Sequence, residues 1–156
     1  MIYLVEDDSS IRELVIYALN STGLEAKGFE KPSEFWKAVE EEEPSLVILD
    51  VMLPEETGID VLKKIRSNPA IEKLPVIMET AKTSEYDRIN GLESGADDYI
   101  SKPFSMMEMV ARVKALIRRS EYCAVSVRVF VGLTWYVTEL LSIPELTNEP
   151  INAASR

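Results

Sequence analysis

The stretch that decides the fold is Leu46-Val47-Ile48-Leu49-Asp50, four apolar residues followed by one carboxylate. The chain begins with a similar apolar run, residues 1–5, which three acids follow directly. A third run begins at position 75 and ends at Thr80, and a short fourth run ends at Lys102. Short apolar strands separated by amphipathic helices imply a parallel sheet. Because ligand sites in such sheets lie at the carboxyl ends of the strands, these polar side chains should converge at one edge.

Amphipathic helical patterns lie between the apolar runs and give the chain an alternating order. Ser9 or Ser10 is predicted to cap the first helix, which should stop at Gly23 and bury one face made of Ile11, Leu14, Val15, Ala18 and Leu19. A short strand is predicted over 24–29, and helices follow near positions 32, 58, 84 and 105, the last of them capped by Ser105. Since strand and helix alternate five times, the sequence predicts an α/β fold, a doubly wound sheet of five parallel strands.

The converging side chains suit a metal ion and a phosphoryl group. Glu6, Asp7 and Asp50 offer the hard oxygen ligands that Mg²⁺ prefers. Lys102 beside them suits a phosphoryl oxygen. Asp50 ends a buried strand, so its carboxylate should project into the cleft, where it can attack a phosphoryl group directly. Mg²⁺ is the expected cofactor because it neutralises the repulsion between these two anions.

Charge and composition exclude several classes of function. The 156 residues carry 27 acids against 17 bases, a net charge of −10, so an autonomous nucleic-acid surface is not expected. The sequence contains no histidine, which excludes Ser-His-Asp catalysis, histidine metal sites and a phosphohistidine on this chain. The single cysteine, Cys123, cannot form an internal disulfide, which fits a cytoplasmic location. No apolar stretch reaches transmembrane length, so no membrane partner is expected.

Four motifs, taken together and in this order, resemble the CheY-like receiver domain of two-component response regulators. They are Leu4–Asp8, Leu49–Pro54 with Gly58, Thr80–Lys82 and Gly95–Phe104. The last motif is most similar to the OmpR/PhoB subfamily of transcription regulators. The resemblance implies a flavodoxin-like (βα)5 receiver over residues 1–119, with strand order 2-1-3-4-5. It also implies that a sensor histidine kinase is the partner that supplies the phosphoryl group.

The resemblance assigns a role to each residue of the cleft. Asp50 is the phosphoacceptor, and Mg²⁺ is held by Asp7, Glu6, Asp50 and the backbone carbonyl of Met52. Because the acid pair is Glu-Asp where the family has Asp-Asp, Asp7 is expected to bind the ion directly and Glu6 through water or from the outer layer of ligands. Lys102, followed by a cis proline, is expected to pair with Asp50 and then with a phosphate oxygen.

Two further roles follow from the family. Thr80 should donate its hydroxyl to another phosphate oxygen, and Tyr99 should turn inward with it as the switch. In OmpR/PhoB-like receivers, matching charges form reciprocal salt bridges across a symmetric dimer, so a homodimer promoted by phosphorylation is expected. The charged residues of that face are Arg88, Asp97, Asp98, Glu108, Arg112 and Lys114. The alternative is scattered surface charge, which contributes little.

Some positions depart from the family pattern. Glu79 is charged where an apolar residue is more usual, and Glu55-Glu56-Thr57 replaces small or apolar residues before Gly58. None of these changes removes an essential group.

The segment 120–156 is predicted to be a C-terminal extension that follows the receiver domain. Its valines at alternate positions from 125 to 131 are typical of a strand with one apolar face. Residues 145–147 faintly resemble the start of a winged helix, but the chain stops before any recognition helix. The extension carries net negative charge, so no direct DNA binding is expected. It can instead be an interaction element that packs on the receiver or on a partner.

Three classes of function remain. The first is a phosphoryl-accepting signalling switch that is not an enzyme for a separate substrate, with an output linked to transcription. The second is a phosphotransfer enzyme with an aspartyl nucleophile. Such enzymes usually place a second acid two residues after the nucleophile, where this chain has Met52. The third is an interaction module that works without phosphorylation, against which the intact Asp7, Asp50, Thr80 and Lys102 argue.

Overall fold

The computed structural model describes residues 1–81 and 95–120. The strands are β1 (Ile2–Val5), β2 (Ala26–Phe29), β3 (Leu46–Asp50), β4 (Val76–Ala81) and β5 (Asp98–Lys102). The helices are α1 (Ser9–Ser21), α2 (Pro32–Glu41), α3 (Gly58–Ser67) and α4 (residues 106–120). The helix predicted between 84 and 94, and the extension from 121 onward, lie outside the described residues.

The five strands form one parallel sheet in the order β2-β1-β3-β4-β5, which confirms the predicted α/β fold and strand order. Hydrophobic side chains cover both of its faces. On the first face, α2 and α3 pack through residues such as Phe35, Val61 and Leu62. On the second face, α1 and α4 pack through residues such as Leu19, Met109 and Val113. Both faces are therefore covered, as the continuous apolar strands predicted.

Two details of the first helix differ from the prediction. Its N-cap is Asp8, whose carboxylate accepts hydrogen bonds from the backbone N–H groups of Ser10 and Ile11 at 2.8 and 3.1 Å. Asp8, in extended backbone conformation, therefore takes the capping role expected of the serines. Leu14 is not buried; 51% of its surface is exposed. The buried stripe runs through Val15 and Leu19, and a residue one position earlier is turned by about 100° around the helix.

Other boundaries follow the sequence signals. Pro32 opens α2 within its first turn, and Gly23 follows the end of α1 with a φ of 79°. Ser105 accepts a hydrogen bond from the Glu108 N–H at 3.1 Å, which confirms its predicted capping role at the start of α4. The second strand begins at Ala26, two residues later than predicted.

Gly58 fixes the path of the loop that leaves the sheet after β3. Its backbone N–H donates to the carbonyl of Val51 at 3.0 Å. A Cβ atom at this position would lie 2.0 Å from the Asp50 carbonyl oxygen, so no other residue fits without moving the backbone. Glycine here allows α3 to begin directly against the end of β3, which holds the Asp50 loop close to the sheet.

Candidate phosphoacceptor site

Three acids form one row across the end of the sheet. The register places Leu4 opposite Ile48 and Ile48 opposite Ile77, and all three side chains lie in the hydrophobic cluster of the second face. Strand side chains alternate, so the residues two positions further along point to that same face. Those residues are Glu6, Asp50 and Glu79, and the register pairs Asp50 directly with Glu79.

Lys102, at the end of β5, brings one positive charge to this row. Its ammonium donates to Glu6 Oε2 at 2.5 Å and to Asp50 Oδ2 at 2.7 Å, and it lies 3.5 Å from Glu79 Oε2. The expected pairing of Lys102 with Asp50 is therefore present, and the Lys102–Pro103 bond is cis as predicted. Burial disfavours the charged form, but the hydrogen bonds to Asp50 and Glu6 outweigh it, so the pKa of Lys102 lies above its ordinary value.

Asp50 is 6% exposed, and two groups orient its carboxylate. The backbone N–H of Met52 donates to Oδ1 at 3.1 Å, and Lys102 holds Oδ2. The next residue, Val51, donates its N–H to the Glu79 carbonyl at 3.0 Å. Both oxygens of the carboxylate are thus fixed in direction, which is what a nucleophile needs before its partner arrives.

The acidic loop after β1 is held by a residue that the sequence analysis did not single out. Arg12 on α1 donates to the carbonyl of Glu6 at 2.6 Å and to that of Asp7 at 3.2 Å. These bonds fix the backbone beneath the acids and leave the Asp7 side chain exposed. An arginine one turn into the helix that follows the acids was the only available sequence signal, and surface arginines are too common for that signal to decide.

Three of the four predicted magnesium ligands, the carboxylates, converge, while the role of the Met52 carbonyl stays a prediction. Glu6, Asp7 and Asp50 each offer a carboxylate oxygen, and these oxygens lie within 4.8 Å of one another. Oxygen donors at this separation fit Mg²⁺. Both Glu6 oxygens already have partners, since Oε1 accepts from the Asp8 N–H at 3.2 Å and Oε2 from Lys102. The exposed Asp7 is therefore the acid with fewer partners within the described residues, and the roles of the two acids at the ion stay a prediction.

Glu79 is the unexpected member of the row. Its side chain is fully buried, and neither carboxylate oxygen has a hydrogen-bond partner within the described residues. Burial raises the pKa of Glu79 to about 8, the neighbouring Glu6 adds to the rise, and the charge of Lys102 opposes it. The sequence marked Glu79 as a departure from the family pattern but gave no direct sign of its contact with Lys102.

The two residues predicted to form the switch lie on the other face of the sheet. Thr80 follows Glu79 in β4, so its side chain points to the first face of the sheet, on which α2 and α3 pack. Tyr99 also lies on that face and packs against its hydrophobic core. The Thr80 hydroxyl donates to the Ala81 carbonyl at 3.2 Å, and the structure gives it no contact with Asp50. The Tyr99 hydroxyl is buried without a partner among the described residues, and burial raises its pKa to about 12.

Four residues of the predicted dimer face, Asp97, Asp98, Glu108 and Arg112, are paired within the chain. Arg112 on α4 donates to both oxygens of Asp98 at 2.9 Å and to Glu108 at 2.9 and 3.1 Å. Asp97 accepts from Arg66 on α3 and from the Val76 N–H, both at 2.8 Å. Arg88 lies outside the described residues. A dimer through reciprocal bridges would have to exchange these internal partners, and the dimer stays a prediction.

Known proteins are similar to this chain in sequence and in fold. The family model for the response regulator receiver domain matches residues 2–114. The chain is 48% identical over 124 residues to the transcriptional regulatory protein GltR of Pseudomonas aeruginosa. This alignment covers 80% of the chain and 51% of GltR. The chain is 46% identical over 125 residues to the alkaline phosphatase synthesis transcriptional regulatory protein PhoP of Bacillus subtilis, with coverages of 80% and 51%.

Thus the chain spans about half the length of these relatives. The solved receiver domain of Francisella response regulator 1452 superposes with a TM-score of 0.71 at 30% identity and covers 76% of this chain and 97% of that one. The match of the family model, the identity to these transcription regulators and the shared fold agree. The chain belongs to the receiver domain family of two-component response regulators.

Proposed function

We propose that this chain is a phosphoryl-accepting signalling switch in which Asp50 takes its phosphoryl group from a sensor histidine kinase. The observation that carries the proposal is the convergence at one sheet edge of an oriented carboxylate, a cation and metal-binding oxygens. Asp50 lies 2.7 Å from the Lys102 ammonium, and one of its oxygens lies within 4.8 Å of oxygens from Glu6 and Asp7.

The side chains that would bind Mg²⁺ directly are those of Asp7 and Asp50, and the backbone carbonyl of Met52 would be the third protein ligand. Glu6 would act on the ion through a bound water. When bound, the ion neutralises charge on the acidic cleft and on the incoming phosphoryl group. The fit rests on the donor set, because Mg²⁺ requires few protein ligands and keeps several waters.

The chemistry belongs to Asp50. One of its oxygens forms a bond to phosphorus as the bond from phosphorus to the donor's imidazole nitrogen breaks, and the imidazole leaves with the electron pair. Lys102 then transfers its hydrogen bond from the carboxylate to a phosphoryl oxygen. The Thr80 hydroxyl donates a hydrogen bond to another phosphoryl oxygen. The product stays on the chain, so the protein modifies only itself and is not an enzyme for a separate substrate.

The output is proposed from the relatives. GltR and PhoP are named as transcriptional regulatory proteins, which supports a transcription-linked output for this receiver. Phosphorylation would draw Thr80 toward the phosphate and move Tyr99 with it, and a symmetric dimer would form through the charged face that contains Arg112. The chain itself would work in the cytoplasm and bind no DNA. The described residues contain no helix of the length and apolarity needed to cross a bilayer.

Intact-protein mass measurement after incubation with acetyl phosphate and Mg²⁺ tests the proposal. The expected result is one added phosphoryl group, lost in EDTA and in Asp50→Asn. The matched control is Asp60→Asn, since Asp60 is exposed on α3 and its contact with Thr57 survives in an amide. Equal incorporation in Asp50→Asn would refute Asp50 as acceptor. No incorporation into the wild type would favour an interaction module that works without phosphorylation.

A further inference from the structure

We infer that Glu79 is a positioning residue that competes with the phosphoryl group for the Lys102 ammonium and so weakens this receiver's phosphorylated state. The inference rests on the proposed function, because it concerns the cation that the phosphoryl group must recruit. It goes beyond that function by giving a role to a residue that phosphoryl transfer itself does not require.

The position of Glu79 brings it to Lys102. The register sets Glu79 beside Asp50 on the neighbouring strand, and both side chains leave the sheet on the same face. On that face the next inward residue of β4 is Ile77, which lies in the hydrophobic core. An apolar side chain at position 79 would extend that core, whereas a carboxylate there needs a charge partner.

Lys102 is the charge partner within reach. Its ammonium has three N–H groups, of which Glu6 and Asp50 take two at 2.5 and 2.7 Å. Glu79 Oε2 lies 3.5 Å from the same nitrogen, and the described residues offer Glu79 no hydrogen bond. Glu79 is therefore the third carboxyl group around the ammonium, near it without a hydrogen bond, and it comes from β4.

Phosphorylation changes this balance. Once an Asp50 oxygen is bonded to phosphorus, Lys102 must turn toward a phosphoryl oxygen. Glu6 and Glu79 both oppose that movement, because Glu6 hydrogen-bonds the ammonium and Glu79 lies 3.5 Å from it. Glu6 is also needed by the acidic cleft, whereas the Glu79 oxygens have no hydrogen-bond partner among the described residues. The effect of Glu79 is to draw Lys102 back toward β4, so a variant without this acceptor should hold the phosphoryl group more tightly.

The test is the affinity for beryllofluoride, a phosphoryl mimic, measured in the presence of Mg²⁺ on the full chain by NMR titration. Glu79→Leu removes the acceptor and should bind about tenfold more tightly, a difference of about 1.4 kcal/mol. Glu79→Gln keeps an acceptor oxygen and matches the protonated carboxyl group of Glu79, so it should bind like the wild type. Glu72→Gln replaces a carboxylate at an exposed position before β4 and should also bind like the wild type.

A second readout separates positioning from a general effect on the fold. The ¹⁵N resonance of the Lys102 ammonium should shift in free Glu79→Leu and stay in place in Glu72→Gln. Beryllofluoride affinity in Glu79→Leu equal to or weaker than that of the wild type would overturn the inference while the proposed function stands. If Glu79→Leu fails to fold, Glu79→Val removes the same acceptor and decides the question, and an affinity equal to that of the wild type overturns the inference. A wild type that binds no beryllofluoride would count against the proposed function itself.

Discussion

Replacing Glu79 by leucine should change how the stability of this protein depends on pH. Glu79 is fully buried on β4 and faces Glu6 of the loop after β1, Asp50 of β3 and Lys102 of β5. Its pKa is raised from 4.5 to about 8, mainly by burial. The folded protein therefore keeps a proton on Glu79 across a pH range in which the unfolded chain releases it.

The sign of the effect follows from proton linkage. Between the two pKa values the folded state binds more protons, so the free energy of unfolding falls as pH rises. The contribution is fully present below about pH 4.5 and is lost by about pH 8. Each pKa unit corresponds to about 1.4 kcal/mol, so the loss between about pH 5.5 and about pH 8 is on the order of 3 kcal/mol.

Urea unfolding at several pH values, in EDTA to keep the cleft free of metal, measures this loss. Other groups titrate in the same range, so the informative quantity is the difference between the wild-type and Glu79→Leu profiles. The variant should be the more stable protein at about pH 8, and its advantage should shrink toward about pH 5.5. Parallel profiles would show that Glu79 has an ordinary pKa and would refute the reasoning from burial.

Three other changes test the site and its supports. Lys102→Met leaves the buried acids without their cation and should lower the free energy of unfolding at neutral pH by about 3–5 kcal/mol. Urea unfolding in EDTA measures this loss, and Lys73→Met serves as a control at an exposed position. An unchanged urea midpoint in Lys102→Met would contradict the ion-pair geometry. Gly58→Ala sets a methyl group against the Asp50 carbonyl, so thermal unfolding should show a free energy of unfolding that is lower by about 1–3 kcal/mol. Phosphoryl incorporation should fall as well. A Tm equal to that of the wild type would mean that the loop can move to accept the methyl group. Arg112→Glu should weaken the proposed dimer, and the effect should be largest at low ionic strength, where salt screens the charges least. Light scattering with beryllofluoride bound measures this. A wild type that stays monomeric at high concentration would remove the dimer from the proposal.

The sequence alone determined the fold because its signals are local. Each strand is a short apolar run, and each run ends in the polar residue that the site needs, as at Asp50 and Lys102. Alternation with amphipathic segments required a parallel sheet, and the motif order indicated the family that supplied the strand order. Capping was less certain, because Asp8 and the serines that follow it are all good caps, and the choice depends on backbone conformation at the helix start.

Tertiary structure decided which side chains share a partner. Glu6 and Lys102 are 96 positions apart, and their contact exists because the register brings three strand ends into one row. The sequence showed that Glu79 was unusual, but its contact with Lys102 depends on that register and on the length of the lysine. Leu14 and Asp97 show the same limit. Leu14 is exposed because of how α1 is rotated on the sheet, and Asp97 is held by an arginine from α3. Local pattern fixes the elements, whereas a contact between them depends on packing that no single segment encodes.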